Sequence, residues 1–131
     1  METTSMPVRI GEVILWCDQL VLVKLIKDNE IKLEDVKEQV NASLKLTNGK
    51  DFAVVIDGGL TLDVDDKAMT FASKYENDNW KAFAIVVRSL SERLFANYYL
   101  MFQKPVRPTK VFTSPARAEK WLSQFVKMTK N

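Results

Sequence analysis

The sequence predicts an α/β fold: an N-terminal antiparallel hairpin followed by βα units in a mostly parallel sheet of about five strands with four helices. Three observations carry that prediction. Short β-branched and apolar runs alternate with segments of helical period along the 131 residues, the order that produces parallel strands joined by crossover helices. The first two runs, 13–16 and 20–26, are separated by Cys17, Asp18 and Gln19, a connection short enough for a hairpin. Runs 52–56 and 82–87 are apolar throughout, as expected of strands covered on both faces.

Taken in order, residues 1–6 show no periodicity and are expected to fray. The hairpin follows, with Cys17 in its turn, and residues 27–30 form a polar connector. Leu33, Val36, Val40 and Leu44 recur at helical spacing until Asn48-Gly49 supplies a stop. Lys32 is a poor N-cap, although Glu34 and Asp35 suit the positive end of the helix. Strand 52–56 ends at Asp57-Gly58-Gly59, and after a loop containing Thr61 and Asp63, Asp65 and Asp66 cap a helix bearing Ala68, Met69, Ala72 and Tyr75.

Ser89 and Glu92 form a capping box after the run 82–87, opening a helix with Leu90, Leu94, Phe95, Tyr98, Met101 and Phe102. Its aromatic residues, together with Trp121 and Phe125, are read as core. Pro105 and Pro108 bracket a basic connector, 109–113 reads as a short strand, and Ser114-Pro115 starts a last helix carrying Ala118, Trp121 and Leu122. Neither a repeat nor a linker interrupts the pattern, so residues 1–131 are expected to form a single domain. Crossovers of one hand put their helices on one side of the sheet. A second copy of the chain is the cover expected for the other side.

Composition excludes several classes of chemistry. The chain has no His and one Cys, which removes His-activated nucleophiles and thiolate clusters. Its four glycines make neither a phosphate-cradling loop nor a dinucleotide fingerprint. No catalytic residue, cofactor or metal is assigned, and the chain is not expected to be an enzyme. Residues 1–87 carry ten Lys/Arg and fifteen Asp/Glu, net −5, while residues 88–131 carry nine against two, net +7. This excess is too modest to predict nucleic acid as a partner. With no apolar run long enough to span a bilayer and no export signal, the expected location is cytoplasmic.

The element order, and the segments 89–100, 103–105 and 108–112 with Ser89, Leu90, Arg93, Asn97, Tyr98, Tyr99, Lys104, Pro105, Pro108, Thr109, Lys110 and Phe112, resemble an uncharacterised bacterial family of STAS-like proteins, the anti-sigma-factor-antagonist fold. In regulatory STAS domains a segment of the type Asp-Ser-Ser-Gly is phosphorylated to break a protein complex. The corresponding segment here is Asp65-Asp66-Lys67-Ala68, so the resemblance implies an interaction module without the phosphorylatable hydroxyl.

Two candidate surfaces follow. Asp57, Asp65, Asp66 and Lys67 fall near the C-terminal end of a parallel strand, where α/β sheets place ligands. Arg93, Asn97, Lys104, Arg107 and Lys110 form a basic, amide-bearing surface suited to an anion or acidic partner. An alternative reading has Arg93 and Asn97 tethering the proline-rich connector. The expected partner is another protein, or a second copy in a homodimer. The alternative function is binding of an apolar small molecule or lipid, as the similarity to the CRAL-TRIO fold suggests.

Overall fold

A computed structural model describes residues 4–26, 30–57 and 64–127. Its strands are β1 (Ser5–Val8), β2 (Gly11–Cys17), β3 (Leu20–Leu25), β4 (Phe52–Asp57), β5 (Trp80–Val86) and β6 (Thr109–Phe112). Its helices are α1 (Leu33–Thr47), α2 (Asp66–Lys74), α3 (Leu90–Gln103) and α4 (Pro115–Leu122). The connector residues 27–29 and the loop 58–63, with Gly58, Gly59, Thr61 and Asp63, lie outside the described residues.

The strands form one sheet in the order β1-β2-β3-β4-β5-β6. β1, β2 and β3 pair antiparallel, and every later pair is parallel. Six strands are present where about five are expected. The added one is β1, from a segment expected to fray. Its four residues are too few to reveal a period, and only pairing with β2 draws Met6 and Val8 against the core. The turn into β2 depends on Gly11, at φ 155°, where a Cβ would lie 1.8 Å from the Lys24 carbonyl oxygen. Cys17 belongs to β2 rather than to the turn, and a register shift between Leu15 and Cys17 turns its side chain into the core.

α1 begins without a side-chain cap from Lys32; instead the Asp35 carboxylate accepts the Lys32 amide at 2.9 Å. Arg9 reaches the same carboxylate with its Nε at 2.7 Å, tying the β1–β2 turn to the helix start. The buried face of α1 is partly polar. Gln39, Ser43 and Thr47 lie one turn apart and bond to one another or to the preceding carbonyls, so they are satisfied without water. Asn48 ends the helix in the left-handed conformation, φ 51°, as the Asn-Gly stop predicts.

The core has two layers. Val13, Val21, Val23, Val54, Phe83 and Ile85 share one cluster with residues of α1, α2 and α3. On the other face, Leu20, Leu22, Ala53, Val55, Ala84 and Val86 pack with Ala118, Leu122 and Val126. The second cover, expected from another copy, is therefore supplied by α4. Following the last strand, it makes no crossover and is at liberty to fold onto the opposite face.

α3 departs furthest from expectation. Ala96 and Tyr99 are its buried residues, with Phe95 and Leu100 partly covered. Most of the stripe read as core faces solvent: Leu90 is 72% exposed, Leu94 62%, Tyr98 54%, Met101 67% and Phe102 63%. The helix is apolar on two sides, and the side led by the small Ala96 packs on the sheet.

Candidate functional site

The parallel strands deliver their C-terminal ends to one rim. There β4 ends in Asp57, and Arg88, just beyond β5, donates from Nη2 to both carboxylate oxygens at 2.7 and 2.8 Å. Asp65 caps α2 by accepting the Lys67 amide at 3.3 Å, and its own amide donates to the Ile31 carbonyl at 2.9 Å. Asp66 and Lys67 project into solvent from the first turn of α2. Each described acid of this rim thus has a structural task or faces water. Among the described residues no three acids or cysteines gather as metal ligands.

The basic residues divide into two groups. Arg93 and Asn97 of α3 and Lys110 of β6 line one shallow groove of about 410 Å³ with Arg117 of α4, Val111, Phe112 and Thr113. A neighbouring hollow of about 440 Å³ contains Arg88, Ser89, Leu90, Arg93 and Thr113, so the cationic surface continues toward Asp57. Lys104 and Arg107 stand apart from both. Lys104 is exposed in the left-handed conformation that ends α3, φ 47°. Arg107 is only 7% exposed.

Arg107 performs the tethering considered for Arg93 and Asn97. Its guanidinium donates to the Ala72 carbonyl at 2.8 Å and to the Tyr75 carbonyl, both at the end of α2, and lies 3.7 Å from the centre of the Trp80 ring. The connector is further held where the Val106 amide donates to the Ser73 carbonyl at 2.9 Å, and Lys74 Nζ donates to the Gln103 carbonyl at 3.0 Å. Burial lowers the Arg107 pKa and raises that of the nearby Tyr99 hydroxyl to about 12. The Tyr99 hydroxyl has no hydrogen-bond partner among the described residues.

Residues 14–126 match the family described as a domain of unknown function, DUF7793. The chain belongs to that family. No curated protein and no solved structure matches it. The match begins within β2, so β1 precedes the part of this DUF7793 chain that the family covers.

Sequence reasoning missed Arg88 and Arg117. The first directly follows an apolar strand and was open to recognition as a rim residue. The second is placed beside α3 only by the return of α4. A groove of about 620 Å³ at the opposite end of the strands, lined by Trp16, Lys45, Asn48 and Lys50 among others, contains none of the candidates. Between α1, α2, α3 and the sheet lies an apolar cavity of about 80 Å³. Among the described residues no helix is long and apolar enough to cross a membrane.

Proposed function

We propose that this chain is a non-enzymatic, STAS-like protein-interaction module that docks another protein on the outward face of α3. The observation carrying this reading is the exposed row Leu90, Leu94, Tyr98, Met101 and Phe102. At about 200 Å² for a large side chain, such a row offers roughly 600 Å² of apolar contact. That is the upper range for a patch on a monomer and near one partner's share of a standard interface. The cations along its flank favour an acidic surface opposite it. Asp65, Asp66, Lys67 and Ala68 start α2 without a hydroxyl, which supports a module not switched by phosphorylation there.

The test is photo-crosslinking in the source organism with a benzoylphenylalanine at position 94 or 101, and at the exposed Lys24 as control. A discrete adduct is expected from the helix positions and not from position 24, lost when the remaining α3 positions carry Asp. A ladder identical from all three positions contradicts the reading, and an adduct between two copies reassigns it to homodimerisation.

A second reading, an apolar small-molecule or lipid site, is favoured by the wholly apolar lining of the cavity beneath α3. Its volume of about 80 Å³ falls short of the roughly 300 Å³ at which ligand pockets begin. Binding of a medium-chain fatty acid, followed by shifts of Met69 and Tyr99 resonances, would sustain it.

A further inference from the structure

From the free edge of β6 we infer a second recognition element: the groove between α3 and α4 accepts an extended acidic segment of a partner protein, added as a seventh strand beside β6. The inference deepens the proposed function, since it rests on the reading of the chain as a protein-binding module. β6 is a terminal strand of the sheet and, among the described residues, pairs only with β5. The Phe83 amide donates to the Pro108 carbonyl at 3.0 Å, and the Val87 amide to the Phe112 carbonyl at 2.8 Å. Backbone groups alternate sides along a strand. Residues 108, 110 and 112 therefore bond inward to β5, leaving the amides and carbonyls of Thr109 and Val111 directed outward.

The two edges of the sheet are not equivalent. On β1 the Leu15 amide donates to the Thr4 carbonyl at 2.7 Å, so by the same alternation Ser5 and Pro7 face away from β2. Pro7 has no amide hydrogen to offer. That edge is blunted in the manner natural sheets use against unwanted pairing. On β6 the outward residues are Thr109 and Val111, and neither is a proline, so the edge keeps its donors and acceptors. The strand is about 13 Å long, enough for a short segment of the kind bound by strand addition.

Charge selects the occupant. Arg93, Lys110 and Arg117 line the groove together with the amide of Asn97, and among the described residues no acid lines it. Two copies pairing edge to edge would set these cations against their own equivalents, which is unfavourable. An acidic strand meets them on both faces, Arg93 from the α3 side and Arg117 from the α4 side.

The experiment uses the full chain and a phage-displayed library of random linear peptides. The enriched peptides are expected to be acidic with alternating β-branched residues. At saturation they slow hydrogen exchange of the Val111 amide about tenfold or more, as for an amide newly engaged in a sheet. Val111→Pro removes one of the outward donors and abolishes binding. The double variant R93E/R117E, which leaves the strand backbone untouched, weakens binding at least about tenfold and keeps the test decisive if Val111→Pro does not fold. Failure to enrich any peptide, enrichment without an acidic bias, or binding that leaves Val111 exchange unchanged overturns the inference. Peptides displaced by L94D/M101D that leave Val111 unprotected refute the edge while retaining the α3 face, so the two readings fail separately.

Discussion

Replacing Arg107 by Ala should destabilise the protein by about 3 kcal/mol without altering any exposed surface of the basic groove. The side chain makes two charge-assisted hydrogen bonds to the Ala72 and Tyr75 carbonyls and lies over Trp80. In gross terms each bond is worth about 1.5–3 kcal/mol and the desolvated ring contact about 2. The methylenes of its stem contribute roughly 1.5 more. Against this stands the desolvation of a buried guanidinium, several kcal/mol, whose sign is visible in the lowered pKa of Arg107. The partly exposed end of α2 also lets water reach the freed carbonyls, so the net loss sits at the lower end of values for breaking a buried charge contact, about 3 kcal/mol. For a chain of this length that corresponds to a fall of about 10 °C in Tm. Urea denaturation of R107A, R107K and K110A measures it. Lys presents one point charge and cannot span both carbonyls in the same way, so R107K should recover about half of the loss. K110A, at an exposed position, should stay within about 0.5 kcal/mol of the parent. An R107A midpoint within 1 kcal/mol of the parent, or no difference between R107A and K110A, would refute the assignment of Arg107 to structure.

Tyr99→Phe removes a buried hydroxyl without a described partner and should leave stability at pH 7 unchanged or raise it by up to about 1 kcal/mol. Because the folded-state pKa, about 12, exceeds the ordinary tyrosine value, the parent loses stability as pH rises from about 10 through the folded value, and any advantage of Y99F grows over the same window. A Y99F-minus-parent absorbance titration should remove one phenol ionising in that alkaline range. Gly11→Ala forces a Cβ onto the Lys24 carbonyl and should cost at least about 3 kcal/mol, or prevent β1 from pairing, read by thermal unfolding. The Arg9 hydrogen bond holds the Asp35 carboxyl below its usual range, so its contribution is present above about pH 4 and lost as pH falls through the depressed value. Arg9→Ala should lower stability at pH 7, with the difference from the parent shrinking toward pH 2, as urea denaturation at the two pH values would show. L94D/M101D should keep the parent's thermal stability within about 1 kcal/mol, since both side chains already face water.

Local chemistry made much of the fold legible. Asn48-Gly49, Asp65, Ser89 and Ser114-Pro115 mark helix ends where the structure has them, because a cap acts within a few residues of itself. Ser89 shows the limit of such reading. The Glu92 amide donates to its hydroxyl at 3.2 Å as expected, yet Glu92 answers by accepting the Arg88 amide. The candidate site was legible only as a list of residue types. Arg93, Asn97 and Lys110 do share a groove, but Arg117 completes it from a helix whose position no local signal encodes, and Arg107, counted with them, is withdrawn into the interior by acceptors about 35 residues earlier in the chain.

Apart from β1, the sequence by itself determined which segments are strands and helices, where most of them stop, and that the central strands are apolar on both faces, since propensity, capping and periodicity act over a turn or two of chain. Tertiary structure alone decided that β1 joins the sheet, that α4 covers the second face, and that α3 buries Ala96 and Tyr99 instead of its larger apolar row. Periodicity reports that a face is apolar; which of two apolar faces is buried depends on what the rest of the chain places opposite them, and that choice leaves α3 and the edge of β6 turned toward solvent.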